Sequence, residues 1–221
     1  MKKILIPCIA IVFVLLLSGS ASATTVTYDY SKSMSSTNWT QTFNVQQFDP
    51  TLGTLNCVTV NIAGDLSQTF MFENTGAGSG TITFTNGQTT GALFKVKYTG
   101  GSDIMVLDIL NTPMYSFTAF DGILDFAGTS GKTNAVGVSD SFFDVFTDMP
   151  TLSAFTGTGT IDLDTTATGR SYWESTSGNM AVGVSTRAGA EVSVTYDYTV
   201  PEPATLALLG LGGLLFRRRK A

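Results

Sequence analysis

Phe94-Lys95-Val96-Lys97-Tyr98 puts three apolar side chains and two ammonium groups in strict alternation. Successive side chains of a strand point to opposite faces, so this pentapeptide reads as a half-buried β-strand with its lysines in water. Gly100-Gly101 then turns the chain into Ile104 to Leu110, a run apolar but for Asp108 that predicts a buried central strand. Working outward, the same period of two recurs on both sides. It appears at Val26, Tyr28 and Tyr30, at Trp39, Gln41, Phe43 and Val45, and at Val58, Val60 and Ile62. Leu66, Phe70 and Phe72 follow after a break expected at Gly64-Asp65, then Ile82 and Phe84, with Glu73 to Gly80 expected as a flexible loop. Beyond Phe155, strand patterns return at Ile161 to Asp164, at Val182 to Val184 and at Val192 to Tyr198. The residue types are those that fit a pleated, half-buried surface. Asp49-Pro50-Thr51-Leu52-Gly53 and Asn86-Gly87 supply turns.

Between residues 24 and 199 no segment sustains an apolar i, i+3, i+4, i+7 stripe, so almost no helix is expected. A short helical turn is expected near Asp140 to Asp148, where Phe142, Val145 and Phe146 could share a face. About ten to twelve short strands with turn signals at close intervals predict an all-β fold, an antiparallel β-sandwich or jelly-roll. Packing two sheets hides strand edges that a Thr-rich β protein must protect. Val26-Thr27-Tyr28-Asp29-Tyr30 recurs as Val194-Thr195-Tyr196-Asp197-Tyr198, and the two copies are expected side by side at one end of the sandwich.

Both ends of the chain read as processing segments. Met1-Lys2-Lys3, an apolar run from Ile4 to Leu17 and Ala21-Ser22-Ala23 form a secretory signal peptide, residues 1–23, cut after Ala23 with Ala21 and Ala23 as the signal-peptidase site. At the other end, residues 200–221 read VPEPATLALLGLGGLLFRRRKA. Ala204 to Phe216 would make a helix of roughly 20 Å, short of the roughly 30 Å hydrocarbon core. Arg217, Arg218, Arg219 and Lys220 would stop translocation on the cytoplasmic side. Pro201 and Pro203 hold the junction extended around Glu202. This order, Pro-Glu-Pro, short apolar helix, arginine cluster, resembles the PEP-CTERM sorting segment. The resemblance implies recognition and cleavage by exosortase, with transient transmembrane anchoring in the inner membrane and then release to the surface.

Trimming both ends changes the charge. Six of the twelve basic residues but only one of the seventeen acids lie in these ends, leaving six basic and sixteen acidic residues in the body, net −10 against −5 for the chain. An acidic body excludes nucleic acid and anionic lipid as partners. The chain has no histidine, which removes serine- and cysteine-type triads and Cys/His zinc sites. Cys57, alone in the body, reads as a small core residue. No cofactor is expected and no catalysis. Asp162 with Asp164, or Asp121 with Asp125, could form a carboxylate pair, but acids are plentiful. Asp121 and Asp125 around Gly122 are the candidate calcium ligands, with Asp140, Asp144 and Asp148 recurring at four-residue spacing. Trp39 and Trp173 are the candidate carbohydrate platform.

Trp39-Thr40-Gln41, the run from Phe48 to Leu55, Val58-Thr59-Val60 and Ala188 to Tyr196 together resemble the choice-of-anchor E domain. That family shares a surface domain carried on different anchoring tails, and the resemblance adds no catalytic residue. The resulting expectation is a non-catalytic protein, secreted through the Sec and signal-peptidase machinery across the inner membrane of a Gram-negative type envelope. Residues 24–199 would then serve as a structural or adhesive element of an exopolysaccharide or biofilm matrix. A lectin-like module, aided by calcium, is the alternative.

Overall fold

In the computed structural model, residues 22–84, 90–99 and 101–200 are described. They form eleven strands and one helix. The strands are β1 (Ser22–Ser36), β2 (Trp39–Gln46), β3 (Thr54–Asn74), β4 (Gly80–Thr83), β5 (Thr90–Tyr98), β6 (Asp103–Asn111), β7 (Tyr115–Phe117), β8 (Gly131–Phe146), β9 (Thr160–Arg170), β10 (Glu174–Ser175) and β11 (Met180–Val200). The helix α1 covers Met149–Ala154.

Two four-stranded antiparallel sheets face each other, ordered β1-β11-β3-β8 and β2-β9-β5-β6. Pairing runs outermost with outermost: β1 with β11, β2 with β9, β3 with β8, and β5 with β6. The chain is therefore one long folded ribbon rolled up into two sheets, which is the jelly-roll arrangement. β4, β7 and β10 lie in the three connections β3–β5, β6–β8 and β9–β11. They join in a third small sheet ordered β10-β4-β7, so three loops of one end are knitted together.

Alternation places the core. Val58, Val60, Ile62, Phe94, Val96, Met105, Leu107, Ile109, Leu163, Val192, Val194 and Tyr196 fill the space between the large sheets. Burying each such side chain contributes about 1.5–3 kcal/mol. A second cluster, Phe70, Phe72, Ile82, Phe84, Tyr115 and Phe117, lies where the long strands β3 and β11 run under the small sheet. Phe72 is its hub: its ring meets those of Phe70, Phe84, Tyr115, Phe117 and Trp173 at 5.6–6.4 Å between centroids. Between the two clusters sits Gln68, fully buried. Its Nε2 donates to Thr90 Oγ1 at 2.9 Å and to Thr186 Oγ1 at 3.2 Å.

Several expectations need correction. Gly64-Asp65 does not break the chain; β3 runs straight through, because a Cβ on Gly64 would stand 2.9 Å from Ile109 Cδ1 and from Phe94 Cε2. The glycine lets the sheets approach and turns nothing. Likewise, Val182 and Val192 belong to one strand, β11. Ile104 to Leu110 is an edge strand, with Met105, Leu107 and Ile109 inward and Val106 and Leu110 nearly half exposed. Asp140 to Phe146 is extended and belongs to β8, while the helix forms just afterwards. There Asp148 accepts the Thr151 amide at 3.0 Å and Pro150 sits in the first turn. This is a capped start that the β-prone Phe142, Phe143 and Val145 lack.

The repeated pentapeptide behaves as expected. Thr27 stands opposite Thr195, Val26 opposite Tyr196 and Tyr28 opposite Val194. The Tyr28 and Tyr196 rings meet edge-on at 6.2 Å. The expected turn at Asn86-Gly87 lies outside the described residues. Glu73 and Asn74, expected in a flexible loop, are fully buried at the end of β3.

Candidate functional site

The candidate site is the junction where the sandwich meets the C-terminal segment. β11 keeps its pairing to its last residues: Thr199 is opposite Thr54 on β3 and Ala23 on β1, and Val200 is opposite Ser22. Asn56 ties the strand down, with Nδ2 donating to Asp197 Oδ1 at 2.8 Å and to Thr199 Oγ1 at 2.9 Å. The preceding turn is set by Asp49, whose carboxylate accepts the Thr51 amide at 2.8 Å. That bond holds the Asp49 carboxyl below its ordinary pKa. The turn ends at Gly53, at φ +155°, where any Cβ would overlap the Thr199 carbonyl oxygen. Glycine is therefore required for the turn to lie against the last residues of β11. β11 stays paired with β3 as far as Thr199, while the partners of Thr199 and Val200 on β1, Ala23 and Ser22, belong to the segment expected to leave with the signal peptide. Pro201, Glu202, Pro203 and the basic cluster Arg217 to Lys220 lie outside the described residues, as do Ala21 and the apolar run. Among the described residues no helix is long and apolar enough to cross a membrane.

The other candidates are placed as follows. Asp121 and Asp125 are exposed, and each spends an oxygen on its own turn: Asp121 Oδ1 accepts the Ile123 amide at 3.0 Å and Asp125 Oδ1 the Ala127 amide at 2.9 Å. Among the described residues no three acidic or thiol side chains gather as a metal cluster would. Asp140 and Asp144 lie on β8 and Asp148 caps α1, so their four-residue spacing gives no common site. Asp162 and Asp164 point outward from β9, accepting from Asn44 Nδ2 at 2.7 Å and Thr42 Oγ1 at 2.6 Å across the strand pair.

Trp39 and Trp173 are each half-buried and belong to different clusters, so they do not form a joint platform. Trp39 donates Nε1–H to the Ala188 carbonyl at 3.2 Å and carries the Lys32 ammonium 5.8 Å from its ring centroid. Trp173 packs edge-on against Phe72. Cys57 is half-buried opposite Asp197. Desolvation first, and then the Asp197 carboxylate, push its thiol pKa up, away from nucleophilic reactivity.

One residue escaped the sequence reading. Glu73 is fully buried, its Oε2 accepts the Phe126 amide at 2.8 Å, and a Cβ on Gly131 would collide with the same oxygen. The connection between β7 and β8 thus folds around a carboxylate that no local pattern marks.

Comparison with known proteins bears on the junction. A model described as the PEP-CTERM protein-sorting motif matches residues 199–220. That match implies a secreted, exosortase-processed surface protein. No curated protein matches the chain. Among solved structures, the VP2 subviral particle of infectious bursal disease virus is 12% identical, covering 81% of this chain and 37% of that one at a TM-score of 0.23. The disulfide-linked pili of Bacillus endospore appendages are 10% identical, covering 83% and 93% at 0.19. The chain spans little more than a third of the capsid protein, and at such scores neither likeness carries an argument. The one specific similarity is at the C-terminal junction, where residues 199–220 match the protein-sorting motif.

Proposed function

We propose that this chain is a non-catalytic surface protein, sorted by exosortase and structural or adhesive in an exopolysaccharide matrix outside a Gram-negative type envelope. The observation that carries the reading is contiguity. The sorting motif begins at residue 199 and β11 ends at Val200, so a closed sandwich feeds directly into the segment that is processed. After a cut behind Ala23 the strand is still held by β3 as far as Thr199, two residues before the first proline, so the enzyme would meet the two prolines close to a paired strand end. The acidic body, net −10, favours solubility after release. The resemblance to choice-of-anchor E domains agrees, since those domains are defined by a common body on exchangeable tails. Export would engage the Sec machinery, signal peptidase and exosortase, with the inner membrane held only transiently and extracellular polysaccharide as the later partner.

The test is localisation of the tagged full chain in strains with and without exosortase, with intact-mass measurement of the released form. Release of a form truncated near Pro201 to Pro203 in the first strain only is the expected result. Equal release from both strains overturns the reading.

A further inference from the structure

β8 is the open edge of its sheet, paired with β3 alone. Of thirteen large apolar side chains exposed among the described residues, ten fall between Val106 and Met149, and three of these, Phe142, Phe143 and Val145, stand together on β8. Every residue from Ser139 to Val145 is exposed, on both faces of the strand. Edges of this kind are normally blunted by lysine, proline or a bulge. The opposite edge strand, β1, has such devices, with Lys32 at a register shift between Lys32 and Ser35. β8 pairs without a shift along its length and has neither proline nor lysine after Lys132; its charged side chains there are Asp140 and Asp144.

We infer that this edge takes a second copy of the chain, β8 running antiparallel to β8 about a twofold axis at Phe143. Two observations narrow the register that a second copy can take. First, the Ser141 and Val145 amides donate to the carboxylates of Asp140 and Asp144, each at 2.8 Å, so the odd-numbered amides point to the open edge. Alternation puts the Phe143 amide on that edge too. A partner strand must therefore pair odd residues with odd ones. Second, the aspartates recur every four residues, so an axis through Phe142 or Asp144 sets carboxylate against carboxylate. An axis through Phe143 sets Asp144 against Phe142 of the second copy and Asp140 against its Phe146. It also sets Ser141 against Val145, whose amides exchange their aspartate caps for main-chain carbonyls. The residue at the axis is the most exposed of the three, at 63%. Pairing residues 139–147 of both copies buries on the order of 1,000 Å², the low end for a specific interface, so the dimer is reversible. The inference is independent of how the chain is sorted.

Cysteine cross-linking of the full chain in detergent micelles, with Cys8→Ser and Cys57→Ser as background, tests it. Phe143→Cys should form a disulfide dimer at least about tenfold faster than Ser139→Cys, because bridged Cα atoms must lie within about 7 Å. The two Ser139 positions would be roughly 27 Å apart across the axis at about 3.4 Å per residue. Thr42→Cys, exposed on the other sheet, reports random collision. Equal rates for all three overturn the inference. Should Phe143→Cys not fold, light scattering of the otherwise unaltered chain against Val145→Lys decides. Concentration-dependent dimerisation that the lysine abolishes supports the pairing, while a monomer throughout, or a dimer indifferent to the lysine, refutes it.

Discussion

Tyr196 gives a prediction with a pH at which two curves must cross. Its ring is fully buried among Tyr28, Phe48 and Phe155, and its hydroxyl donates to the Gln46 carbonyl at 2.8 Å. Desolvation, followed by the neighbouring Tyr30 and Tyr28 hydroxyls, pushes its pKa well above the ordinary value of 10.0. The folded protein therefore keeps a proton that the unfolded chain releases above pH 10. The contribution is fully present below pH 10 and is lost as pH rises toward the folded pKa, at about 1.4 kcal/mol per unit. Tyr196→Phe removes this dependence but gives up the hydrogen bond, worth about 1 kcal/mol at neutral pH. The variant should be less stable at pH 7, and its stability should fall by one proton less per unit above pH 10. The two curves should meet about one unit above that point. Urea unfolding followed by circular dichroism at a series of pH values measures both. Parallel curves for the two proteins would show that the phenol is not held neutral by the core.

Gly64→Ala should destabilise the sandwich by about 1–3 kcal/mol despite alanine's better strand propensity, because its Cβ would stand 2.9 Å from Phe94 and Ile109; the urea midpoint measures it. Phe72→Ala, at the centre of five ring contacts, should cost about 3–5 kcal/mol in thermal unfolding. Calcium should leave the melting temperature unchanged relative to chelator, since Asp121 and Asp125 already serve their own turns. A rise that Asp121→Asn abolishes would restore the metal site.

The alternation at Phe94 to Tyr98 revealed the strands because the period of two is a local consequence of side chains meeting one core face. It said nothing of which strand lies at an edge. Apart from Asp108, Ile104 to Leu110 is as apolar as a central strand, yet only every second residue is covered. Gly64 misled for the converse reason. A residue without a side chain reads as punctuation, and only the opposing ring of Phe94 shows it to be a contact. The helix starts beyond the Phe142–Phe146 face because the stronger local signal is Asp148 followed by Pro150. The sorting segment was legible because its three parts are contiguous. Glu73 was not, since its partner amide at Phe126 is 53 residues away.

Residues 22 and 200 and the three knitted loops lie at opposite poles, and this follows from the strand that joins them. β11 is 21 residues long and nearly continuous in its pairing with β3, with one shift at Asp197. At about 3.3 Å per residue it spans roughly 65–70 Å. Its last residue pairs with Ser22, so residues 22 and 200 lie together at one pole. Its first residue, Met180, packs in the second cluster beneath the small sheet. A cut beyond Val200 therefore removes no strand pair and opens neither cluster. The cluster around Phe72 lies at the far end of the same rod. The β4, β7 and β10 loops are thus the pole farthest from Val200. Met114, Ile123 and Leu124, exposed in the connections on either side of β7, belong to that end rather than to the junction. A chain ending at Val200 keeps both clusters and every strand pair among the described residues.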